Sequence, residues 1–263
     1  MLAWLRLLRV PNLATAAADV LAGFLVVAGP RTVEMPPAAC WFALVAGICF
    51  YAGGVVLNDV CDVELDRRER PERPLPAGAI PVKSAVNLAM GLLAVGAAAA
   101  CGAAFAARSP WPALVGAGLT ATIWLYDRHA KATLLGPVAM GACRGLAWLL
   151  GMTAAGGPAA AHQWAIPAGM AAYVAGITLF ARDEATASRR GTLAAGATLM
   201  AAGLAVAAGC VWLPMRIDAT VAGRPLPVET WLTLWGVIAA SIVLRAGIAV
   251  LDPSPVRVRA AVG

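Results

Sequence analysis

The chain has 263 residues, of which 61% are hydrophobic and 13% are charged, and its formal net charge is +6. Because soluble domains contain about 25% charged residues, this composition excludes an ordinary water-soluble globule. The net charge is small beside the apolar excess, which excludes a disordered protein, and the basic residues are dispersed between long uncharged runs, which excludes a nucleic-acid-binding protein. The composition therefore predicts an integral membrane protein, with membrane lipid and no nucleic acid among its partners.

Eight apolar stretches are long enough to cross a membrane, since a helix needs about 20 mainly apolar residues to span a bilayer core. They cover residues 11–29, 38–58, 82–106, 110–126, 133–153, 164–182, 191–213 and 229–250. They do not alternate apolar and polar residues, as the strands of a membrane barrel would. We expect the first stretch to be retained as a helix and the tail after residue 252 to be too short for another span.

The Lys and Arg residues are distributed unequally in this topology. Eight spans place both termini on one side of the membrane, and that side carries 14 of the 20 Lys and Arg residues, against four on the other. By the positive-inside rule, both termini are predicted to be cytoplasmic in a multi-pass protein of the cell membrane.

A short segment carries a large share of the charge, because residues 58–83 contain 11 of the 34 charged residues. The segment follows an apolar span directly. On a continuing helix, Asn58, Asp62 and Asp66 lie one turn apart on one face, with Asp59 beside them. Carboxylates at this spacing repel by about 3 kcal/mol at an effective dielectric of about 20, so the pattern predicts a neutralising cation.

Oxygen ligands of this kind suit Mg²⁺, which binds through one or two carboxylates together with substrate phosphates. A solvated run of balanced charges is the alternative interpretation. The position of these acids argues against a solvated run, since a carboxylate at the end of an apolar helix is costly without a cation or water. The arginines that follow, from Arg67 to Arg73, would add positive charge beside a bound phosphate.

Residues 57–66 read LNDVCDVELD and are followed by RPLPAG at 73–78. This combination resembles the NDxxDxxxD and RPLPxG signature of the UbiA superfamily of intramembrane prenyltransferases. Residues 9–23 and 126–136 extend the resemblance. Residues 182–191 read RDEATASRRG, an altered form of the family's second motif DxxGDxxxG. Together with CRGL at 143–146, this altered second motif resembles the divergent EboC-like branch.

The resemblance implies a single domain over residues 1–263, an all-α bundle around a central cavity that opens to the cytoplasm. It has about eight spans, where the family usually has nine. The implied reaction is the Mg²⁺-dependent transfer of a polyprenyl group from a polyprenyl diphosphate to a lipophilic acceptor, aromatic or hydroxyl-bearing. A non-catalytic or lipid-binding relative is the alternative.

The resemblance also implies roles for individual residues. The catalytic residues are Asp59, Asp62, Asp66 and Asp183. The metal ligands are Asn58, Asp62, Asp66, Asp183 and Glu184. The substrate-binding residues are Asn58, Arg73, Lys131 and Arg182, and the position of Arg144 and Asp19 inside spans adds these two as candidates. Ala187 stands where the family has a second aspartate, so the number of metal ions stays open, and Glu184 could supply the missing carboxylate.

Asp19 and Arg144 are predicted to lie at similar depths within their spans. They either form a structural ion pair or line the acceptor pocket, because an ionisable residue inside a membrane needs a partner or a function. Gly141 and Gly145 match GxxxG, which predicts close helix packing.

Overall fold

The computed structural model describes residues 2–29, 35–182, 189–217 and 228–262. All regular elements in these ranges are helical. In chain order they are α1 (Leu2–Leu7), α2 (Val10–Ala28), α3 (Ala38–Cys61), α4 (Val63–Glu69), α5 (Val82–Ala107), α6 (Trp111–Leu125), a π-helical turn (Tyr126–Ala130), α7 (Gly136–Ala154), α8 (Ala161–Phe180), α9 (Arg190–Ile217), α10 (Val228–Leu251) and α11 (Pro255–Val262). The prediction of an all-α protein is confirmed.

Each of the eight predicted spans coincides with one long helix. Within the described ranges, six helices are long and apolar enough to cross a membrane: α2, α3, α5, α8, α9 and α10. Helices α6 and α7 are not among these six. Helix α6 has only 15 residues before the π-helical turn. Helix α7 contains four glycines and Arg144, which lower its mean hydropathy. The tail forms only the eight-residue α11, too short to span a bilayer.

Proline and left-handed residues set several helix boundaries. Pro37 and Pro81 occupy the N-cap positions of α3 and α5 in extended conformation. Proline suits these positions because the missing N–H would have no acceptor inside the helix. Arg108 ends α5 with φ 52°, a left-handed conformation that stops helical propagation.

The described residues form two compact units. The first comprises Met1–Ala130 and Leu146–Gly157, and the second comprises Lys131–Gly145 and Pro158–Gly263. Helix α7 therefore contributes its first half to the second unit and its second half to the first. That the chain forms one domain stays a prediction.

Small residues allow close helix packing in the first unit. A Cβ atom added to Gly151 in α7 would overlap the backbone of Val20 and Phe24 in α2, and one added to Gly23 would overlap Trp148. In the same unit, Gly96 and Gly116 leave room for the ring of Phe50. Small residues at helix interfaces are typical of membrane proteins, because association in lipid depends on close packing.

The second unit packs in the same way. Gly141 and Gly145 face the backbone of Ala171 and Pro167 in α8 at distances that leave little space for a side chain, which confirms the packing predicted from GxxxG. A core of buried side chains joins α8, α9, α10 and α11. It comprises Phe180, Leu193, Met200, Ala246, Ala249 and Val258.

Candidate active site

The acidic motif lies at the junction between α3 and α4. Asp62 ends α3 and precedes α4 with φ −91° and ψ 0°. The backbone N–H groups of Asp62, Asp66 and Arg70 donate to the carbonyls four residues earlier, at 3.0, 2.8 and 2.8 Å. These bonds preserve helical spacing across the junction. Asn58, Asp62 and Asp66 are therefore one turn apart along the chain, as the sequence pattern predicts.

Two carboxylates of this motif are buried and ion-paired. Asp59 is 6% exposed and Asp66 is 4% exposed. Arg73 Nη1 lies 2.7 Å from Asp66 Oδ2 and 3.6 Å from Asp59 Oδ1, and Arg9 Nη2 lies 2.9 Å from Asp59 Oδ1. We call these four residues the Arg73 cluster. Its two guanidinium groups balance two carboxylates that would otherwise be buried as uncompensated charges.

The conformation of the RPLPAG segment positions Arg73. The backbone N–H groups of Ala77 and Ala79 donate to the carbonyls of Arg73 and Pro74, at 2.9 and 3.0 Å. Gly78 adopts φ 70°, which other residues reach at a steric cost. Leu75 is 3% exposed and anchors the turn in the first unit. The motif therefore forms a tight turn that holds Arg73 against the acids.

Arg9 was not assigned to the site from sequence, although it begins one of the segments that carry the family resemblance. It separates α1 from α2 and has φ 47°, an uncommon conformation for a residue with a side chain. Strained backbone of this kind concentrates at functional sites. Its hydrogen bond to Asp59, fifty residues away in the chain, ties the N-terminal helices to the acidic motif.

Asp127 was also missed by sequence reasoning. Asn58 Nδ2 donates to Asp127 Oδ1 at 2.9 Å. Asp127 lies in the π-helical turn that follows α6, a distortion often found at functional sites. Beside it, the guanidinium of Arg128 stacks on the ring of Trp124 at 4.6 Å from the centroid. The hydrogen bond from Asn58 thus brings an additional acidic residue, Asp127, next to the first motif.

Four charged residues of the segment lie at the surface of α4. Glu64, Arg67, Arg68 and Glu69 are exposed, and Arg67 pairs with Glu64 on the surface of α4. That Arg67 and Arg68 lie beside a bound phosphate therefore stays a prediction, which their exposure on α4 does not test. Arg73 alone of these three is in the buried cluster, because the turn after α4 brings it back to the acids.

Asp19 lies buried in α2 with 8% exposure, in the first unit. Trp148 Nε1, in the second half of α7, donates to Asp19 Oδ1 at 3.0 Å. Arg144 belongs to the second unit. Both the predicted ion pair between Asp19 and Arg144 and their acceptor-pocket role stay predictions.

The second unit holds the remaining predicted substrate contacts. Arg182 Nη2 donates to the backbone carbonyl of Ala132 at 3.2 Å, so Arg182 lies beside the segment that begins with Lys131. Asp183, Glu184 and Ala187 lie outside the described residues. Their predicted roles as metal ligands and as the altered second motif therefore stay predictions.

The oxygen donors near the acidic motif indicate which kind of metal ion these residues could bind. In the described part of the chain, no group of three or more Asp, Glu, His or Cys side chains could hold a metal by itself. Asn58, Asp62, Asp66 and Asp127 offer hard oxygen donors, which suit Mg²⁺ bound by one or two carboxylates and by substrate phosphates. These residues therefore fit a metal ion that the protein and a diphosphate coordinate jointly, and not one that protein ligands coordinate alone.

A family model decides the relationship of this chain to known proteins. The model of the UbiA prenyltransferase family matches residues 17–261. The chain belongs to the UbiA prenyltransferase family. The predicted superfamily is therefore confirmed, whereas membership of the EboC-like branch stays a prediction.

Curated relatives match a part of the chain. A digeranylgeranylglyceryl phosphate synthase of Methanoculleus marisnigri is 42% identical over 98 residues, which are 37% of this chain and 33% of that protein. Its counterpart from Metallosphaera sedula is 33% identical over 93 residues, 35% of this chain and 32% of that protein. The chain thus matches about a third of the length of these relatives.

Solved structures share the fold over nearly the whole chain. A structure of digeranylgeranylglyceryl phosphate synthase has a TM-score of 0.67 at 19% identity and covers 99% of this chain and 91% of that one. A UbiA homolog from Archaeoglobus fulgidus, bound to DMAPP and Mg²⁺, has a TM-score of 0.61 at 17% identity and covers 95% and 99%. At these identities the likeness establishes a UbiA fold.

Proposed function

We propose that this protein transfers a polyprenyl group from a polyprenyl diphosphate to a lipophilic acceptor in an Mg²⁺-dependent reaction within the membrane. The observation that carries the proposal is the Arg73 cluster. Two buried carboxylates lie at and just beyond the end of an apolar helix, flanked by two arginines, in a member of a prenyltransferase family. A substrate with an oily chain and a charged diphosphate needs an apolar region bordered by such polar groups.

The diphosphate end of the substrate would meet cationic side chains from separate parts of the chain. Arg73 is a candidate contact because its guanidinium has five N–H donors, more than its two carboxylate contacts use. Lys131 and Arg182 are further candidates in the second unit, where Arg182 lies beside the Lys131 segment. Arginine suits this task because its planar donors match phosphate oxygens in bidentate geometry.

The metal would be held by Asn58, Asp62 and Asp66, with Asp183 and Glu184 of the second motif. Asn58 directs its amide nitrogen to Asp127, so its carbonyl oxygen is the atom that a cation would contact. When bound, Mg²⁺ supplies electrostatic stabilisation of the negative charge that develops on the departing diphosphate. Asp59, paired with Arg9 and Arg73, would keep these cationic groups in position.

The chemical step balances without an oxidant or a reductant. The bond between the allylic carbon and the diphosphate oxygen breaks, and its electron pair leaves with the diphosphate. The acceptor forms the new bond to the allylic carbon and releases a proton. Cationic side chains at the diphosphate accelerate this step because they stabilise charge that increases in the transition state.

The acceptor is proposed to be a hydroxyl-bearing lipid. The name shared by the curated relatives, digeranylgeranylglyceryl phosphate synthase, supports a glyceryl acceptor over an aromatic one. Asp19 and Arg144 are proposed to line the acceptor pocket. The Trp148 indole would hold the carboxylate of Asp19 in a fixed orientation there.

The proposed setting is a single domain in the cell membrane with its central cavity open to the cytoplasm. The six apolar helices support membrane insertion. The excess of Lys and Arg on one side supports cytoplasmic termini and acidic motifs.

Purified protein supplied with labelled prenyl diphosphates and candidate acceptors tests the proposal. We expect pyrophosphate release that requires Mg²⁺ and is abolished by Asp66→Ala. Glu64→Ala is the matched control, because Glu64 is an exposed acid on the same short helix. Binding of the diphosphate without release, by unaltered protein with every acceptor, would instead favour the non-catalytic alternative.

A further inference from the structure

Arg245 is an isolated cation in α10. Across residues 232–251 it is the one Lys, Arg, Asp or Glu in a stretch of mean hydropathy 2.1. Only 11% of this stretch is buried inside the protein, so most of α10 would face lipid. A charged side chain inside a membrane is costly and usually marks a pairing partner or a function.

Arg245 borders a cavity of about 160 Å³ formed by α8, α9, α10 and α11 within the second unit. Its polar lining comes from Tyr173, Ser241 and Arg245, and its apolar lining includes Ile177, Met200 and Ile242. Ser241 and Arg245 are four residues apart, so they share one face of α10. We call this cavity the Arg245 pocket. A cavity needs roughly 10–15 Å³ of such volume to hold one water molecule, so this pocket has room for a phosphate group.

No acid among the described residues forms an ion pair with Arg245. Asp252, the acid that follows α10, lies 3.7 Å from Arg257 Nε. Among the residues that line the pocket, Arg245 is the one that carries a charge. The pocket therefore combines a cation with two hydroxyl groups, and the described residues supply it with no counter-charge.

The position of the pocket indicates the source of an anionic ligand. Arg245 lies six residues before the end of α10, which is roughly 9 Å along the helix axis. An arginine at this depth reaches the headgroup level of a bilayer. Further cations lie at the same end of the helix: Arg190 donates to the carbonyl of Leu251 at 3.2 Å, and α11 carries Arg257 and Arg259.

We propose that the Arg245 pocket binds the phosphate group of an anionic membrane phospholipid. Arg245 would hold two phosphate oxygens, and the hydroxyls of Tyr173 and Ser241 would donate to them. Basic pockets between membrane helices recognise lipid headgroups in this way. The apolar lining would contact the acyl chains. This inference does not depend on the proposed catalytic function.

Equilibrium binding of fluorescent phosphatidylglycerol to the detergent-purified full chain tests the proposal. Arg245→Gln removes the charged donors that would hold the phosphate oxygens, so it should weaken binding about tenfold or more. Arg257→Gln removes the same charge at the same end of the protein, outside the pocket, and should change affinity by less than about twofold. Equal weakening by both variants would overturn the proposal, since it would indicate unspecific attraction.

A second variant keeps the test valid if Arg245→Gln does not fold. Ser241→Leu would fill the pocket without changing the charge, and it should also weaken binding of phosphatidylglycerol. Unaltered affinity in this variant would contradict the proposal. Inorganic phosphate is the comparison ligand, and it should compete weakly at millimolar concentration. Full displacement of the lipid by inorganic phosphate would show a free-anion site instead and would overturn the lipid assignment.

Discussion

Asn58 donates its side-chain amide to Asp127 Oδ1 at 2.9 Å, which joins the acidic motif of α3 to the π-helical turn after α6. A carboxylate only accepts hydrogen bonds, so it fixes which end of the amide faces it. The carbonyl oxygen of Asn58 is then the atom that a cation would contact. In the proposed metal site, Asp127 would therefore be a positioning residue for the acidic motif.

Asp127→Asn should raise the Mg²⁺ concentration needed for half-maximal pyrophosphate release about tenfold. The physical reason is that an asparagine accepts more weakly and allows the Asn58 amide to rotate. A titration of activity with Mg²⁺ measures the effect, and metal binding to the protein with a non-hydrolysable diphosphate measures it without turnover. Asp252→Asn, an exposed change in the other unit, should leave both values unchanged; an equal shift in this control would contradict the positioning role.

Arg73→Gln should destabilise the fold by about 2 kcal/mol, because it leaves two buried carboxylates with less positive charge. Thermal unfolding in one detergent measures the difference. The double variant Arg73→Gln with Asp66→Asn should recover most of the loss, since it removes a negative charge together with the positive one. Arg67→Gln breaks only an exposed pair and should cost less than about 1 kcal/mol. A double variant no more stable than Arg73→Gln would contradict the pairing.

Gly151→Ala should destabilise the first unit by more than about 1 kcal/mol, because the new methyl group would overlap the backbone of α2. Gly91→Ala is the matched control. Gly91 also lies inside a helix, but a Cβ atom added there would have no neighbouring atom within 4 Å, so the alanine should be neutral or stabilise by about 0.5–1 kcal/mol. Unfolding midpoints in the same detergent compare the two. Equal effects would show that α2 and α7 are not in close contact.

The two interpretations of Asp19 and Arg144 predict different results for a double variant. If they form a structural pair, Asp19→Asn and Arg144→Gln should each lower the yield of folded protein, and the combination should restore it. If they line the acceptor pocket, both single variants should fold normally and lose transfer. We expect the second result, because the Trp148 indole already donates a hydrogen bond to the Asp19 carboxylate, which therefore has a partner without Arg144. Size-exclusion profiles and transfer assays separate the outcomes.

The sequence predicted the positions of the long helices because membrane spans need long apolar runs, and each of the eight runs forms a helix. Asp59 lies at the end of such a run, where a fully solvated carboxylate was not expected, and it is buried, whereas the burial of Asp66 in α4 was not predicted. Arg9 and Asp127 could not be assigned in the same way. Their partners are 50 and 69 residues away in the chain, and only the packed helices bring them together. Trp148 was missed as the partner of Asp19 for the same reason, since 129 residues separate them.

The most direct test of the account is the release of pyrophosphate from a labelled polyprenyl diphosphate by purified protein, with and without Mg²⁺. We predict release that needs the metal and disappears in Asp62→Ala, while Glu64→Ala retains it. Release at an undiminished rate by Asp62→Ala, or release that is equal in a chelator, would contradict the assignment of the acidic motif as the catalytic centre.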